Sequence, residues 1–248
     1  MDMRRIKLIV AYDGTNYCGW QVQPNGVSIQ SVLQAAIEDL VGEKIMLTGA
    51  SRTDSGVHAL GQVAVFDTNK ENIPDWKFAM AINQRLPKDI VVQDSVDVPL
   101  DFHPRYCDTV KTYKYRILNR RRALPNERLD SYFVPQKIDL TAMAEAGKLL
   151  IGTHDFKNFC SMKTTVESTV RTIYDLSFQK EDDMITMIIT GDGFLYNMVR
   201  IVTGALLKVG FGQKTAKDIK ESLESEQRKV AGPTAPAHGL TLVEIKYL

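Results

Sequence analysis

Two successive stretches of this chain read in one order, strand, helix, strand, strand, helix, strand, and that repeat constrains the fold more than any single motif. In the first, Arg5–Tyr12 (RIKLIVAY) is strand-like and ends at the turn residues Asp13 and Gly14. Next comes SIQSVLQAAIEDLVG, with apolar residues at Ile29, Val32, Leu33, Ala36, Ile37 and Leu40. That spacing is helical, with Ser28 as N-cap and Gly42 as stop. Lys44–Thr48 and Gln62–Phe66 read as strands, Trp76–Leu86 as a helix closed by Pro87, and Ile90–Val96 as a further strand. The second stretch runs through strand Thr109–Leu118 and helix Leu140–Ile151 to a hairpin of Thr169–Phe178 and Met184–Thr190 joined by KEDD. It ends with the apolar helix Leu195–Val209, an extra helix at Thr215–Leu223 and the closing strand LTLVEIKYL. No residue-level repeat accompanies the repeated order. The expected class is α+β: two ferredoxin-like β-α-β-β-α-β units with mixed or antiparallel sheets and a central cleft. The divide falls near Pro99 to Arg105, giving residues 1–104 with a polar Asp loop, and residues 105–248 with a Tyr strand and an Arg-bearing helix.

The chain is long enough to bury a core, and 44% hydrophobic with 25% charged residues is the composition of a globular protein rather than a disordered one. A net charge of +1 points to no partner class, so any argument about nucleic acid rests on local charge. Cys18, Cys107 and Cys160 share no metal-ligand spacing and read as structural thiols of a reducing compartment. The N-terminus enters a strand with no apolar leader, and no run approaches the roughly 18 apolar residues of a membrane span. A cytoplasmic location with no membrane partner is expected.

Between the second and third strands stands GASRTDSGVH, Gly49 to His58. Asp54 with a glycine two residues on is ordinary turn chemistry. A hairpin here needs only about two to five residues, however, and this connection spends more, as loops that carry function do. Arg52 and Asp54 are two apart and share a face if the segment is extended. Arg52 is then free to pair with Asp54 or a phosphate, or to be a plain surface cation. His58 has no second ligand at metal spacing and reads as a hydrogen-bonded loop histidine.

In TVKTYKYRI, Tyr113, Tyr115 and Ile117 share one face, with Lys114 and Arg116 on the other. Half-buried strands are rich in aromatics, so a packing role is the ordinary reading. Stacking of one ring on a nucleobase is the functional one. Seven basic residues (Arg105, Lys111, Lys114, Arg116, Arg120, Arg121, Arg122) against the single acid Asp108 make this segment the best nucleic-acid candidate. In GFLYNMVRIVTGALLKVG, Leu195, Val199, Val202, Leu206 and Val209 form a buried stripe and Arg200 falls away from it, near Tyr196. Arg200 is either a surface arginine or a cation reaching a carboxylate in the cleft, and the apolar faces of this helix offer an interface. P-loop, GxGxxG, HExxH and GxSxG motifs are absent.

Taken together, AYDGTNYCGWQVQPNGVSIQSVLQ, GASRTDSGVHALGQVAVF, DFHPRYCDTVKTYKYRI, GFLYNMVRIVTGALLKVG and AHGLTLVEIKYL resemble the tRNA pseudouridine synthase A (TruA) family along the whole chain. RTDSGVHALGQ is the most specific piece; Ser51 and Ser55 stand where the family often has glycine and alanine. The resemblance implies isomerisation of uridine to pseudouridine at positions 38 to 40 in the anticodon arm of tRNA, by a homodimer with no cofactor and no metal. It further implies Asp54 as the nucleophilic aspartate, Arg52 as an arginine of base flipping, Arg200 as the cation that pairs with the aspartate, and Tyr113 as the ring that packs on the target base. One carboxylate suits this chemistry: no water is consumed, whereas glycoside hydrolysis normally uses two. Whether the carboxylate attacks the sugar or removes a proton from it stays open in the sequence. A silent tRNA binder and a nucleoside or phosphate-ester hydrolase are the rival classes.

Overall fold

The computed structural model describes residues 3–24, 26–161, 167–227 and 229–248, so Asn25 of the first resembling piece lies outside the described residues. The chain divides into two compact units, Met1–Asp108 with Leu242–Leu248, and Thr109–Thr241.

The first unit holds β1 (Arg4–Tyr12), α1 (Ile29–Val41), β2 (Thr48–Gly49), β3 (His58–Thr68), α2 (Lys77–Asn83) and β4 (Ile90–Val98). β1 lies between β4 and β3, β2 borders β3, and every pairing is antiparallel. That is the strand order of a split βαβ unit, so the expected α+β class holds. β1 alternates, with Ile6, Leu8 and Val10 fully buried. Leu33 and Ile37 of α1 are likewise fully buried, and Phe66 of β3 meets Phe78 of α2 edge-on at 5.7 Å. Burial of each phenyl ring contributes about 1.5–3 kcal/mol.

The caps of α1 are those expected. Ser28 accepts from the Ser31 N–H in a capping box, and Gly42 stops the helix at φ 70°. The strand expected at Lys44–Thr48 shrinks to Thr48–Gly49 because side chains of α1 take its backbone groups. Ile45 N–H goes to Glu38 Oε1 and Leu47 O accepts from Gln30 Nε2 at 2.7 Å. β3, by contrast, begins at His58 rather than Gln62, so the loop between the strands is Ala50 to Val57.

The second unit holds β5 (Thr109–Asn119), β6 (Tyr132–Val134), α3 (Leu140–Lys148), β7 (Gly152–Asp155), β8 (Val170–Glu181), β9 (Met184–Gly191), α4 (Met198–Gly210) and α5 (Ala216–Glu224). Its order is β5-β9-β8-β7, with β6 parallel to β5. The β5-β9-β8 part repeats the β1-β3-β2 order of the first unit, while the short β6 and β7 have no counterpart in the sequence reading. The last strand, β10 (Leu240–Tyr247), lies beside β3. Helix α4 is buried at eleven positions, Thr203, Gly204 and Gly210 included, so its apolar faces are already covered within the chain and do not offer the interface expected of them. Among the described residues, no helix is long and apolar enough to cross a membrane.

Candidate active site

The loop Ala50 to Val57 carries Arg52 and Asp54, and its path is set by the segment that follows β1. Tyr12 Oη and Thr53 Oγ1 are 2.7 Å apart. Trp20 N–H donates to Thr53 O at 3.1 Å, and Gly56 N–H to Tyr17 O at 3.4 Å. The Ser55 hydroxyl also donates to Tyr17 O, at 3.1 Å. Two glycines permit this approach: a Cβ at Gly14 would stand 2.0 Å from Val57 O, and one at Gly19, whose φ is +108°, 2.6 Å from Thr53 O. On the other arm, the buried Gln62 side chain holds Ser51 by both its N–H, at 3.2 Å, and its carbonyl, at 2.7 Å.

Thr53 is thereby buried while Arg52 is exposed and Asp54 half-buried, the alternation that places Arg52 and Asp54 on one side of an extended segment. The ordinary turn reading of Asp54 is correct in part. Val57 N–H donates to Asp54 O at 3.1 Å, so the main-chain carbonyl closes the turn.

His58 opens β3 and is buried, rather than lying in the loop as expected. Its Nδ1 accepts from Gly14 N–H at 3.1 Å, which fixes the neutral tautomer with the proton on Nε2. Asp13 Oδ1 is also 3.1 Å from Nδ1, but the same atom cannot accept from Gly14 and donate to Asp13. The Gly14 bond is preferred, because a backbone N–H cannot turn away. Burial pushes the Asp13 carboxyl up, and the Thr15 hydroxyl and N–H outweigh it and hold the group below its ordinary value. A lowered folded value means that the stability contributed by Asp13 is complete above about pH 4 and is lost as pH falls through the folded value. Thr15→Val is therefore expected to move the acid-unfolding midpoint, followed by far-UV circular dichroism, to higher pH. An unmoved midpoint would show that the Thr15 bond does not hold Asp13 down.

Tyr113 and Arg200 belong to the second unit. Tyr113 faces inward on β5, 6% exposed, and meets Phe194 edge-on at 5.2 Å. Tyr115, on the same face, is fully buried and donates to Pro236 O at 2.8 Å, a structural role. Arg200 is half-buried on α4 and tethered: Nε donates to Ala235 O at 2.7 Å, Nη1 to Asn197 Oδ1 at 2.8 Å, and Ala235 N–H returns to Arg200 O at 3.1 Å. The surface-arginine reading of Arg200 is thus set aside. α4 begins at Met198 rather than Leu195 because Asn197 is left-handed, φ 60°. The Asn197 amide also donates to Ser161 Oγ at 2.8 Å. Sequence reasoning missed Asn197, Ala235, Gly14 and Gly19; only the Asn before an apolar helix and the glycines of AYDGTNYCGW signalled them.

The basic run does not form one free face. Arg116 is held between Glu127 Oε2, at 2.9 Å, and Asp130, while Arg120 Nη1 lies 3.6 Å from Asp183. Those acids lie outside the run, so a local count of charges overlooked them. Arg105 alone of the seven lies in the first unit. None of the three cysteines forms a disulfide; Cys160 is buried and the others are half-buried. No group of His, Cys, Asp and Glu among the described residues has metal-holding geometry.

The model of the tRNA pseudouridine synthase family matches residues 8–107 and 146–248. A tRNA pseudouridine synthase A of Acetivibrio thermocellus is 49% identical over 99% of this chain and 100% of its own length. The chain belongs to the tRNA pseudouridine synthase family. A tRNA pseudouridine synthase A 2 of Clostridium perfringens is 48% identical over 99% of this chain and 100% of its own length. A tRNA pseudouridine synthase A of Halalkalibacterium halodurans is 44% identical over 96% of this chain and 90% of its own length. Arg52, Asp54 and Arg200 fall within the residues that the family model matches, whereas Tyr113 falls between the two matched segments and is spanned by the full-length relatives.

Proposed function

We propose that the chain is an isomerase that converts uridine to pseudouridine in the anticodon arm of tRNA, at positions 38, 39 or 40. It works in the cytoplasm as a homodimer and with its own side chains alone. Asp54 is the reacting carboxylate, Arg52 assists the flip of the target nucleotide, Tyr113 packs on the base and Arg200 is the counter-charge of the reaction. Family membership supports the activity. The observation that carries the site is the loop itself, in which a half-buried carboxylate sits on a backbone fixed from Tyr12, Tyr17, Trp20 and Gln62.

The target base must leave the stack, at a cost of a few kcal/mol that RNA contacts offset. Asp54 then bonds C1′ as N1 departs with the glycosidic electron pair. Uracil turns and C5 attacks C1′, which releases the carboxylate. The C5 proton is lost and N1 ends protonated, so no water enters the balance. A loop tied at both arms suits this step, since the carboxylate needs no reorganisation to meet C1′.

The test is tRNA carrying tritium at uridine C5, together with mapping of pseudouridine in the product. Label release with product confined to positions 38 to 40 is expected. Release from no tRNA would end the enzymatic reading, and a gel shift without release would leave a silent binder. Free uracil would instead indicate a hydrolase.

A further inference from the structure

Arg105 reaches back onto the loop that carries Asp54. Its Nη2 donates to Gly49 O at 3.3 Å, three residues before Arg52 in the same chain segment. Burial and then the charge of Arg52 press the Arg105 guanidinium below an arginine's ordinary value, and neighbouring Tyr106 opposes them only in part. It remains a cation. No carboxylate among the described residues pairs with either guanidinium; that of Arg105 meets the Gly49 carbonyl, and Arg52 is exposed. Elsewhere in this molecule partly buried arginines are matched with acids, as Arg5 is with Asp67 and Arg116 with Glu127. Two like charges held side by side without an acid are unfavourable until an anion arrives.

The neighbouring turn narrows the kind of anion. Arg105 N–H donates to His103 Nδ1 at 3.1 Å, and the Tyr106 ring stacks on His103 at 4.1 Å. Tyr106 is 80% exposed and presents an open aromatic face next to the cation. A guanidinium pair beside an exposed ring suits a nucleotide, whose phosphate and base it can contact together.

We propose that Arg105 and Arg52 jointly bind one backbone phosphodiester of the tRNA, with Arg105 a positioning residue that anchors the strand at the base of the Asp54 loop. This rests on the tRNA reading above. Arg105 acts from the loop's first arm, where Gly49 fixes its fork, while Arg52 closes on the same phosphate from the exposed side.

Binding is measured with unmodified tRNA over a series of KCl concentrations for the wild type, Arg105→Gln, Arg105→Lys, Arg52→Gln and the Arg105→Gln/Arg52→Gln double variant. Arg105→Gln is expected to weaken binding about tenfold and to lower the slope of log K against log salt by about one. Arg105→Lys keeps the charge and the slope, and loses affinity because an ammonium lacks the planar fork of paired N–H donors. Because both arginines meet one phosphate, the double variant is expected to lose little more slope than either single variant. A drop of about two in the double variant would mean separate phosphates and overturn the shared site. An unchanged slope in Arg105→Gln, whatever happens to affinity, would make Arg105 a structural tether of Gly49 and overturn the proposal. Wild-type label release is run beside these assays. If it fails, the tRNA reading falls; if it succeeds while Arg105→Gln matches wild type, only the phosphate site falls.

Discussion

Asp54→Asn is expected to reduce tritium release from tRNA by roughly 10⁴-fold or more, the scale on which loss of a nucleophile is felt. The amide has the shape of the carboxylate but neither its charge nor its nucleophilicity. The turn should survive, because Val57 N–H bonds the main-chain carbonyl of Asp54, which the substitution keeps. The fixed points of the loop are Thr53, Ser55 and Ser51, none of them altered. Melting temperature is therefore expected within about 2 °C of wild type, as for a substitution away from the core. Affinity for tRNA should stay within a few-fold, since Arg52 remains. Normal turnover by Asp54→Asn would remove Asp54 from the chemistry, whatever the family membership implies.

The second large effect is expected at a residue that does no chemistry. Gly19→Ala asks an L side chain to adopt φ +108° and to place Cβ 2.6 Å from Thr53 O and 3.1 Å from the Asp54 carbonyl carbon. Both contacts are backbone, so no side chain can swing aside. Relief to an ordinary contact near 3.4 Å needs a shift of roughly 0.8 Å (3.4 − 2.6) in the peptide that carries Asp54. A misplacement near 1 Å can cost about 10²-fold in rate. Strain of this kind is also expected to lower stability by about 2–3 kcal/mol, or roughly 5–10 °C in melting temperature for a chain of this size. Gly42→Ala is the matched comparison: its φ is also positive, at +70°, but nothing lies within 4 Å of the added Cβ. It is expected to lose about 1 kcal/mol and no activity. If Gly19→Ala melts early yet keeps its turnover number under conditions where it is folded, the Gly19 contact does not set the position of Asp54.

Much of the first unit was legible because its signals are local. Ser28 and Gly42 bound α1 through a hydrogen bond three residues away and a single backbone angle, both of which depend on near neighbours. β1 and the β8–β9 hairpin likewise follow from alternation and a charged turn. Helix ends went wrong where a distant contact intervened. α4 starts late because Asn197 takes a left-handed backbone, accepts from Arg200 at its amide oxygen and donates its amide N–H to Ser161. Lys44 to Leu47 fails to pair because Gln30 and Glu38, on the preceding helix, take its backbone groups first.

The sequence by itself determined the order of elements, the α+β class, the buried stripe of α4 and the presence of an unusually long polar connection around Asp54, since each is written in residues that are neighbours along the chain. The state of each charge was decided by tertiary structure alone. Arg116 stands in the most basic segment, yet Glu127 and Asp130 neutralise it, while Arg105 of the same run is left beside Arg52 with no acid. Coulomb interaction falls with distance in space and takes no account of distance in sequence. Only folding could show which of these cations are already matched.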